Sequence, residues 1–301
     1  MIKLLQQNCK FLITGATGFI GTKLCEELLL DGHHIVAVTR QKNLQSSHHN
    51  LKYINNLDDE NFEYDIIINL AGAPISVYWS AKNRNEIYES RINTTKKIVE
   101  KILTAKKPPK LFISGSAIGF YGTSNNIIFS ENSQATKQNL FSQNLCHTWE
   151  ESALLAKTKT RVILLRTSVV IGANGGIIKK LSIPFKLGLG GNIGDGKQVM
   201  SWIHLDDVLG IINLTINNAT IEGPINLVAP LNCSNAEFSK ILAQKFSRPC
   251  IFHMPRFVVK TLFGQMGDEL LLSSQKIAPL KATENGYDFK YINIADAIKN
   301  S

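Results

Sequence analysis

The chain has 301 residues, of which 44% are hydrophobic and 19% are charged, and its formal net charge is +9. This length and apolar content can bury a large core, which excludes wholesale disorder. The lysines are scattered and form no basic arm, so the charge indicates a generally basic surface and no nucleic-acid face. A nucleic-acid partner would rest on charge alone, and a cofactor that bears phosphates explains some positive charge more simply.

The five cysteines lie far apart and include no Cys-x-x-Cys pair. Their odd number and wide spacing predict reduced thiols in a cytoplasmic protein, with neither a disulfide framework nor a metal site. No run of about 18 apolar residues exists, so the sequence predicts no membrane-spanning helix and we expect no membrane partner.

The first half of the chain alternates short apolar runs with longer segments of helical periodicity. A strand is predicted at 11–14, and Ile20, Leu24 and Leu28 then mark one face of a helix that ends at Gly32. The further predicted elements are strands at 35–38, 64–70, 111–114 and 162–166 and helices at 87–102 and 140–157. Such alternation predicts right-handed crossovers and a parallel sheet with helices on both faces.

The second half is different in character, because Gly and Pro become denser after about residue 170. Glycines between 188 and 196 indicate either a flexible loop that closes over a substrate or a long hairpin. Ser234 and Glu237 have the spacing of a capping box, which predicts a helix that runs to Phe246. We therefore predict an α/β fold: a doubly wound parallel sheet with a smaller C-terminal lobe.

The strongest motif is TGATGFIG at residues 14–21, which follows the first strand and opens the first helix. Gly15 permits the tight turn, Gly18 lets a pyrophosphate approach the backbone, and Gly21 allows close packing of helix on strand. The N–H groups and partial positive charge of the helix N-terminus favour phosphates. In this context the motif predicts a dinucleotide site rather than an ordinary glycine turn.

The end of the second strand indicates which dinucleotide is bound. An NAD site usually carries a carboxylate there, which would repel a 2′-phosphate, but this chain has Thr39 and Arg40. Thr39 can donate a hydrogen bond and Arg40 can clamp a phosphate, so the pair favours NADP. The alternative is that Arg40 is a solvated surface residue.

Small residues follow the strand at 64–70 in the segment NLAGAP, where they would let a cofactor lie across the strand end. Glu86 and Arg91 come next, on the long helix. Arg91 either faces this cofactor or forms an ion pair on the helix surface with Glu86 or Glu89.

Together these motifs resemble one branch of the extended short-chain dehydrogenases/reductases: the epimerase family proteins, which are similar to nucleoside-diphosphate sugar epimerases and have a C-terminal domain of unknown function. The resemblance runs from residue 11 to 298 through TGATGFIG, NLAGAP, SRINTT, SGSAIGFYG, TWEESA, PFKLGLGG, SWIHLDD and FGQMGDELLLSSQKIAPLKATENGYDF. It implies a Rossmann-type NADP-binding domain at 1–170 and a smaller substrate lobe at 171–301, both parts of one fold. By matching positions, it implies a cofactor site of Gly15, Thr17, Gly18, Phe19, Ile20, Thr39, Arg40, Leu70, Ala71, Glu86, Arg91 and Val170.

The broader superfamily catalyses with a Tyr-x-x-x-Lys pair, in which Lys lowers the pKa of the tyrosine. The segment 140–151 contains neither residue, and alignment on its Glu150 puts Ser142 and Cys146 at those positions. Substitutes are available at the end of the strand at 111–114, namely Ser114, Ser116 and Tyr121. Ser116 matches the superfamily serine that binds the substrate oxygen, and Tyr121 is either the acid/base or a tyrosine that only packs near the nicotinamide.

These inferences predict an NADP(H)-dependent oxidoreductase or epimerase-like enzyme that acts on a small-molecule carbonyl or hydroxyl of unknown identity. Because the Tyr/Lys pair is missing, the alternative is a non-catalytic NADP(H)-binding protein with a regulatory or redox-sensing role. The sequence leaves open whether the protein forms a homodimer.

Overall fold

The computed structural model describes residues 8–59, 62–173 and 175–301. The strands in chain order are β1 (Lys10–Thr14), β2 (His34–Val38), β3 (Leu51–Ile54), β4 (Ile66–Asn69), β5 (Leu111–Ala117), β6 (Ile128–Phe129), β7 (Arg161–Thr167), β8 (Val169–Ile171), β9 (Gly191–Ile193), β10 (Val199–Met200), β11 (Trp202–His204), β12 (Gly223–Leu227), β13 (Cys233–Ser234), β14 (Phe252–Met254) and β15 (Lys276–Ile277). The α-helices are α1 (Phe19–Leu30), α2 (Ala81–Thr104), α3 (Phe141–Leu154), α4 (Gly176–Lys186), α5 (Leu205–Asn217), α6 (Asn235–Lys245), α7 (Arg256–Met266), α8 (Leu280–Glu284) and α9 (Ile294–Lys299).

The main sheet, within the described ranges, has seven parallel strands in the order β12-β7-β5-β4-β1-β2-β3. At its centre Leu12 of β1 pairs with Val36 of β2 on one side and with Ile67 of β4 on the other. Every residue of β4 is buried, as a parallel strand covered on both faces requires. The predicted α/β fold and doubly wound sheet are therefore confirmed.

Successive side chains along each strand belong alternately to two hydrophobic layers on opposite faces of this sheet. Leu12 and Phe112 belong to the layer that also includes residues of α2 and α3. Phe11 and Ile113 belong to the other layer, which is completed by α1 and α5. These four side chains are completely buried, so truncation of Phe112 to alanine would cost about 3–5 kcal/mol.

The smaller lobe is built from two-stranded pairs and has a core of its own. β11 pairs with β8, β14 with β9, β10 with β13 and β15 with β6, while Trp202 and Phe238 lie in the lobe's core. The Ser234 hydroxyl accepts a hydrogen bond from Glu237 N at 3.1 Å, which confirms the predicted capping of α6. β12 returns from this half to the main sheet, and the division at residue 170 stays a prediction.

The structure adds both edge strands of the main sheet, β3 and β12, and corrects one expectation. β3 escaped prediction because its LKYI sequence alternates weakly and only Ile54 is buried. The glycines at 188–196 do not form a long hairpin, since β9 pairs in parallel with β14, which comes much later in the chain. In the described part of the chain, no helix has both the length and the apolar character needed to cross a membrane.

Candidate functional site

The carboxyl ends of the central strands open into a cavity of about 430 Å³. Parallel α/β sheets bind ligands at this edge, where the chain reverses its direction of winding. The cavity wall consists of the glycine loop, the end of β2, the turn after β3, the segment after β4 and one side of α2. Its members are Thr14, Gly15, Thr17, Gly18, Val38, Thr39, Arg40, Asn55, Asn56, Leu57, Leu70, Ala71, Gly72, Ser90, Thr94 and Lys97.

The glycine loop is pressed against the strand beside it. Gly15 has φ +71°, and a Cβ there would lie 2.5 Å from the carbonyl oxygen of Leu70. A Cβ on Gly21 would lie 2.2 Å from the carbonyl oxygen of Gly15, so the first turn of α1 sits directly on the loop. Larger residues at either position would push the loop away from the strand ends.

The N-terminus of α1 points out of this loop and is electropositive. Its N-cap residue, Gly18, has no side chain, and the first turn contains no acidic residue. Thr17 and Gly18 are exposed to the cavity. A helix end of this kind binds anions through backbone N–H groups and the helix dipole.

The end of β2 is held in place and is followed by a largely exposed cation, Arg40. Asn55 Nδ2 donates to the carbonyl oxygens of Thr39 at 2.7 Å and Gln41 at 3.0 Å, which fixes the turn after β2. The side chain of Arg40 is 81% exposed, and its contact with Glu86 is a long one of 3.9 Å. Over the described residues, the cavity wall contains two cations, Arg40 and Lys97, and no carboxylate. Lys97 is also bound to Asp58 at 2.8 Å, outside the wall.

Arg91 lies against the segment that follows β4. Its guanidinium packs on Gly72 and over the ring of Trp149, at 5.3 Å from the ring centre, and Nη1 donates to the carbonyl oxygen of Ile87 at 3.1 Å. Burial lowers the pKa of this guanidinium. The predicted alternative, an ion pair with Glu86 or Glu89, is absent from the ion pairs of the described residues, and Glu86 faces Arg40 instead.

A buried chain of polar groups fixes the end of β4. Thr14 Oγ1 donates to Asn69 Oδ1 at 2.6 Å, Asn69 Nδ2 donates to Thr95 Oγ1 at 2.8 Å, and the Trp149 indole donates to the same Thr95 oxygen at 2.9 Å. Ser90 Oγ also accepts from the N–H of Ala73 at 2.8 Å. These hydrogen bonds fix the positions of α2 and α3 relative to the ends of β1 and β4.

The two candidate catalytic hydroxyls lie in a buried polar cluster, Ser116 near the end of β5 and Tyr121 in the turn that follows it. Ser116 Oγ donates to Glu150 Oε1 at 2.6 Å. The same carboxylate receives two hydrogen bonds from Arg166, at 2.9 and 2.8 Å, and Arg166 Nη1 donates to the Tyr121 hydroxyl at 3.0 Å. The hydroxyl of Tyr121 in turn donates to Asn226 Oδ1 at 2.8 Å. The hydroxyl protons of Ser116 and Tyr121 are therefore both used in hydrogen bonds within the protein.

Tyr121 is completely buried, and burial raises its pKa. Its ring stacks on Phe129, while the neighbouring Phe120 lies between the Arg166 guanidinium, at 3.5 Å, and the imidazole of His147, at 4.3 Å. This environment favours the packing role among the two roles considered for Tyr121. Its catalytic assignment, like that of Ser116, stays a prediction.

The positions that would hold the superfamily's Tyr and Lys are occupied differently here. Ser142 Oγ donates to Glu269 Oε2 at 2.6 Å, and the same carboxylate accepts the backbone N–H groups of Ser142 at 2.9 Å and Phe141 at 3.1 Å. Glu269 therefore caps the N-terminus of α3. Burial raises the pKa of the Cys146 thiol to about 12, so this residue stays neutral where a lysine would carry charge.

The residues implied by the motif resemblance divide into three groups. Most of them, from the glycine loop, the end of β2 and the segment after β4, line the cavity. Phe19 packs its ring on Gly175 of the smaller lobe, Ile20 packs on the core, and Val170 lies in β8. Glu86 and Arg91 lie outside the wall, Glu86 beside Arg40 and Arg91 against Gly72. Sequence reasoning missed the wall residues Asn55, Asn56 and Lys97, for which no local motif gives a signal, and also Thr94, although it lies in the SRINTT motif.

Comparison with known proteins agrees with this geometry. A model of the NAD-dependent epimerase/dehydratase family matches residues 11–227. The chain belongs to that family. A second model, a domain of unknown function termed DUF1731, matches residues 254–301. The resemblance drawn from the sequence motifs is therefore confirmed.

Relatives match over nearly the whole chain. An epimerase family protein SDR39U1 homolog, chloroplastic, from Arabidopsis thaliana is 36% identical, with 95% of this chain and 85% of the relative covered. Epimerase family protein YfhF of Bacillus subtilis is 33% identical, with 95% of each covered. A crystal structure of human epimerase family protein SDR39U1 with NADPH has a TM-score of 0.88 at 31% identity, and covers 96% of this chain and 98% of the human one.

Proposed function

We propose that this protein binds NADP(H) at the carboxyl edge of its main sheet and lacks the tyrosine–lysine proton relay of the wider superfamily. The observation that carries the first part is the glycine loop, which is pressed against β4 and leaves the N-terminus of α1 open beside Arg40. The NADPH in the human relative's structure supports the same choice of nucleotide.

The residues present fit this cofactor. Gly15 and Gly18 provide a surface without side chains at the helix N-terminus, where a pyrophosphate would be held. Thr39 and Arg40 would receive the 2′-phosphate, since a cation stands where NAD sites place a carboxylate. Arg91 offers further N–H donors beside Gly72. When bound, NADP(H) supplies hydride donor and acceptor chemistry, which the protein only needs to orient.

The second part of the proposal rests on hydroxyl groups that already donate hydrogen bonds to side chains of the protein itself. A general acid must have its proton within reach of the reacting oxygen. Tyr121 donates to Asn226, Ser116 donates to Glu150, and Ser142 donates to Glu269. The arrangement therefore supports a binding protein of regulatory or redox-sensing type over an ordinary alcohol dehydrogenase.

An NADP(H)-dependent oxidoreductase or epimerase-like enzyme is the second candidate, and one observation favours it. Ser116 is the penultimate residue of β5, toward the carboxyl edge of the sheet, and because its proton goes to Glu150, its oxygen keeps lone pairs that can accept from a substrate hydroxyl. Its substrate would be a small carbonyl or hydroxyl compound. Cys25, Cys146, Cys233 and Cys250 form no disulfide among the described residues, which supports the cytoplasm as its location.

Titration of the purified protein with NADPH and NADH tests the binding claim. We expect NADPH to bind about 10–100-fold more tightly, because charge-assisted hydrogen bonds to its extra phosphate are lost with NADH. Arg40→Asp should abolish or reverse this preference. Lys42→Asp is the matched control, since Lys42 is exposed nearby but lies outside the cavity wall. An unchanged preference in Arg40→Asp, or no binding at micromolar nucleotide, would overturn the proposal.

Turnover separates the two candidates. For a binding protein we expect no steady-state oxidation of NADPH with a broad panel of aldehydes and ketones. Sustained oxidation that falls with Ser116→Ala, at unchanged NADPH affinity, would establish the enzyme and refute the binding-only role.

A further inference from the structure

One face of the smaller lobe combines exposed apolar side chains with positive charge. It comprises the C-terminal part of α4 with the loop after it, the segment around β14, and the outer side of α7; we call it the basic apolar face. The apolar side chains on it are Ile183, Leu187, Leu189, Ile251, Phe252, Phe257 and Leu262. Ile183 and Phe257 are each 69% exposed and Ile251 is 76% exposed, although side chains of this size are usually buried.

Direct contacts make this one surface. β9, which follows the loop after α4, pairs with β14. Arg248 Nε donates to the carbonyl oxygen of Lys186 at 2.9 Å, and Lys186 Nζ lies 5.5 Å from the centre of the Phe246 ring. α7 begins two residues after β14, so Phe257 continues the same edge. The end of α4, the loop after it and β14 are therefore adjacent in space although two distant parts of the chain supply them, and Phe257 and Leu262 follow on α7.

The charge on this face has one sign along the sequence. Residues 152–194 and 238–267, which contain the whole face, include no Asp or Glu. Within these stretches, the exposed basic residues of α4, of the segment before β14 and of α7 are Lys179, Lys180, Lys186, Arg248, Arg256 and Lys260. Lys260 contacts Asp268 at 3.3 Å, just beyond the second stretch, and Lys180 bonds Ser76. Lys179 lines a separate cavity with Glu26 and Asp206, so Lys186, Arg248 and Arg256 provide the positive charge of the face that no carboxylate of these stretches offsets.

We propose that the basic apolar face docks reversibly on an anionic phospholipid surface. Interfacial binding needs apolar side chains that enter the acyl boundary together with Lys and Arg that meet anionic headgroups. Phe257 and Ile251 supply the first requirement, and the surrounding cations supply the second.

The charge and the apolar side chains of the face favour a phospholipid surface over two other partners, a second copy of the chain and a nucleic acid. A symmetric dimer through the same face would bring the two sets of cations together, and opposed like charges destabilise an interface. Nucleic acid would use the cations but leave the exposed Ile and Leu side chains without apolar partners. A bilayer surface satisfies both kinds of side chain.

The proposal departs from the expectation that the protein has no membrane partner. That expectation came from the absence of a spanning segment, which does not address binding to a membrane surface. The sequence does not predict the face, because α4 and β14 lie about 70 residues apart and only the fold brings them together.

Vesicle flotation with the full chain tests the proposal. We expect the protein to float with phosphatidylcholine vesicles that contain about a third phosphatidylglycerol, to stay in solution with pure phosphatidylcholine, and to lose binding as salt screens the charges. Equal binding to both vesicles, or none to the anionic ones at low salt and millimolar lipid, would overturn it.

Substitutions locate the binding face. Ile251→Ser with Phe257→Ser should weaken binding to anionic vesicles by about tenfold or more, because the inserted apolar area is lost. Lys186→Gln with Arg256→Gln should weaken it by a further factor of about 5 per residue. The matched controls are Leu30→Ser, on the exposed end of α1, and Lys106→Gln with Lys107→Gln, all of which should bind like the original protein.

Two other results would reassign the face. If sedimentation shows a concentration-dependent dimer that Phe257→Ser disrupts, the occupant is a second copy of the chain. If the control substitutions weaken vesicle binding as much as those on the face, the binding reflects net charge alone. The original protein and each variant must show the same thermal unfolding midpoint, which these exposed positions make the expected result.

Discussion

The two ends of the ligand-binding edge treat their polar groups in opposite ways. Around β1 and β2, the glycine loop leaves the N-terminus of α1 without a capping side chain, and Arg40 is largely exposed. Around β5 and α3, the Glu150 carboxylate receives hydrogen bonds from Ser116 and Arg166, and Tyr121 is completely buried. The first region is open to a ligand, whereas the second satisfies its own hydrogen-bonding groups.

This contrast teaches that nucleotide binding and proton transfer are separable in one fold. A region that binds phosphate needs donors without internal partners, since every internal bond must be broken before a ligand can use the donor. A region whose donors are all paired gains stability instead. We therefore expect substitutions in the β5–α3 region to change unfolding more than nucleotide affinity.

The largest effect is expected from Arg166→Met. It leaves the buried Glu150 carboxylate without its cation, and loss of one partner from a buried ion pair typically costs about 3–5 kcal/mol of the free energy of unfolding. Chemical denaturation measures this change. Combining it with Glu150→Leu should recover part of the loss, and a near-neutral Arg166→Met would contradict the description of this region as closed.

Gly21→Ala should act on the open region. The added Cβ would lie 2.2 Å from the carbonyl oxygen of Gly15, so the loop must shift, at a cost of about 1–3 kcal/mol. NADPH affinity should fall with it. Gly119→Ala is the control, because a Cβ there meets ordinary contacts of 3.4 Å. If the NADPH affinity of Gly21→Ala is unchanged, the glycine loop is not part of the nucleotide site.

Tyr121→Phe distinguishes packing from catalysis. Asn226 and Arg166 would each lose a hydrogen-bond partner in the core, which should lower the free energy of unfolding by about 1–2 kcal/mol. NADPH affinity should not change. Tyr78→Phe, on a side chain that is 59% exposed, should have no measurable effect on either quantity. A stable Tyr121→Phe protein that loses an enzymatic activity would break the comparison.

The smallest expected effect is a decrease in the free energy of unfolding as the pH falls below neutral. His204 Nδ1 accepts the N–H of Asp206 at 3.1 Å and so caps α5, which packs against α1 beneath the glycine loop. Burial lowers the pKa of His204 in the folded protein. Below the unfolded value of about 6.5, the unfolded chain therefore takes up the proton more readily, and stability falls as pH drops.

Denaturation at pH 7 and at about pH 5.5 measures this effect, before most carboxylates titrate. His204→Asn can still cap the helix and should lessen the decrease. A free energy of unfolding that rises over this interval would show that the sign is wrong.

What the sequence could predict follows from how local each signal is. The periodicity of the apolar runs predicted the main strands and helices, and TGATGFIG with Thr39 and Arg40 placed one end of the cavity. The opposite wall was not predictable, because Asn56 and Lys97 meet there only through the fold. Similarly, no periodicity links Glu150 to Arg166, and β3 lacks the buried alternation that identifies a strand.

The carboxylate that caps α3 has a consequence for how the chain matures. Glu269 reaches back over 127 residues to bond Ser142. At ordinary translation rates the ribosome adds this residue roughly 6–25 s after the helix itself has been made. During that interval the first turn of α3 lacks its cap, so the nascent protein completes its binding edge only when the C-terminal segment has been synthesised and has folded back onto it.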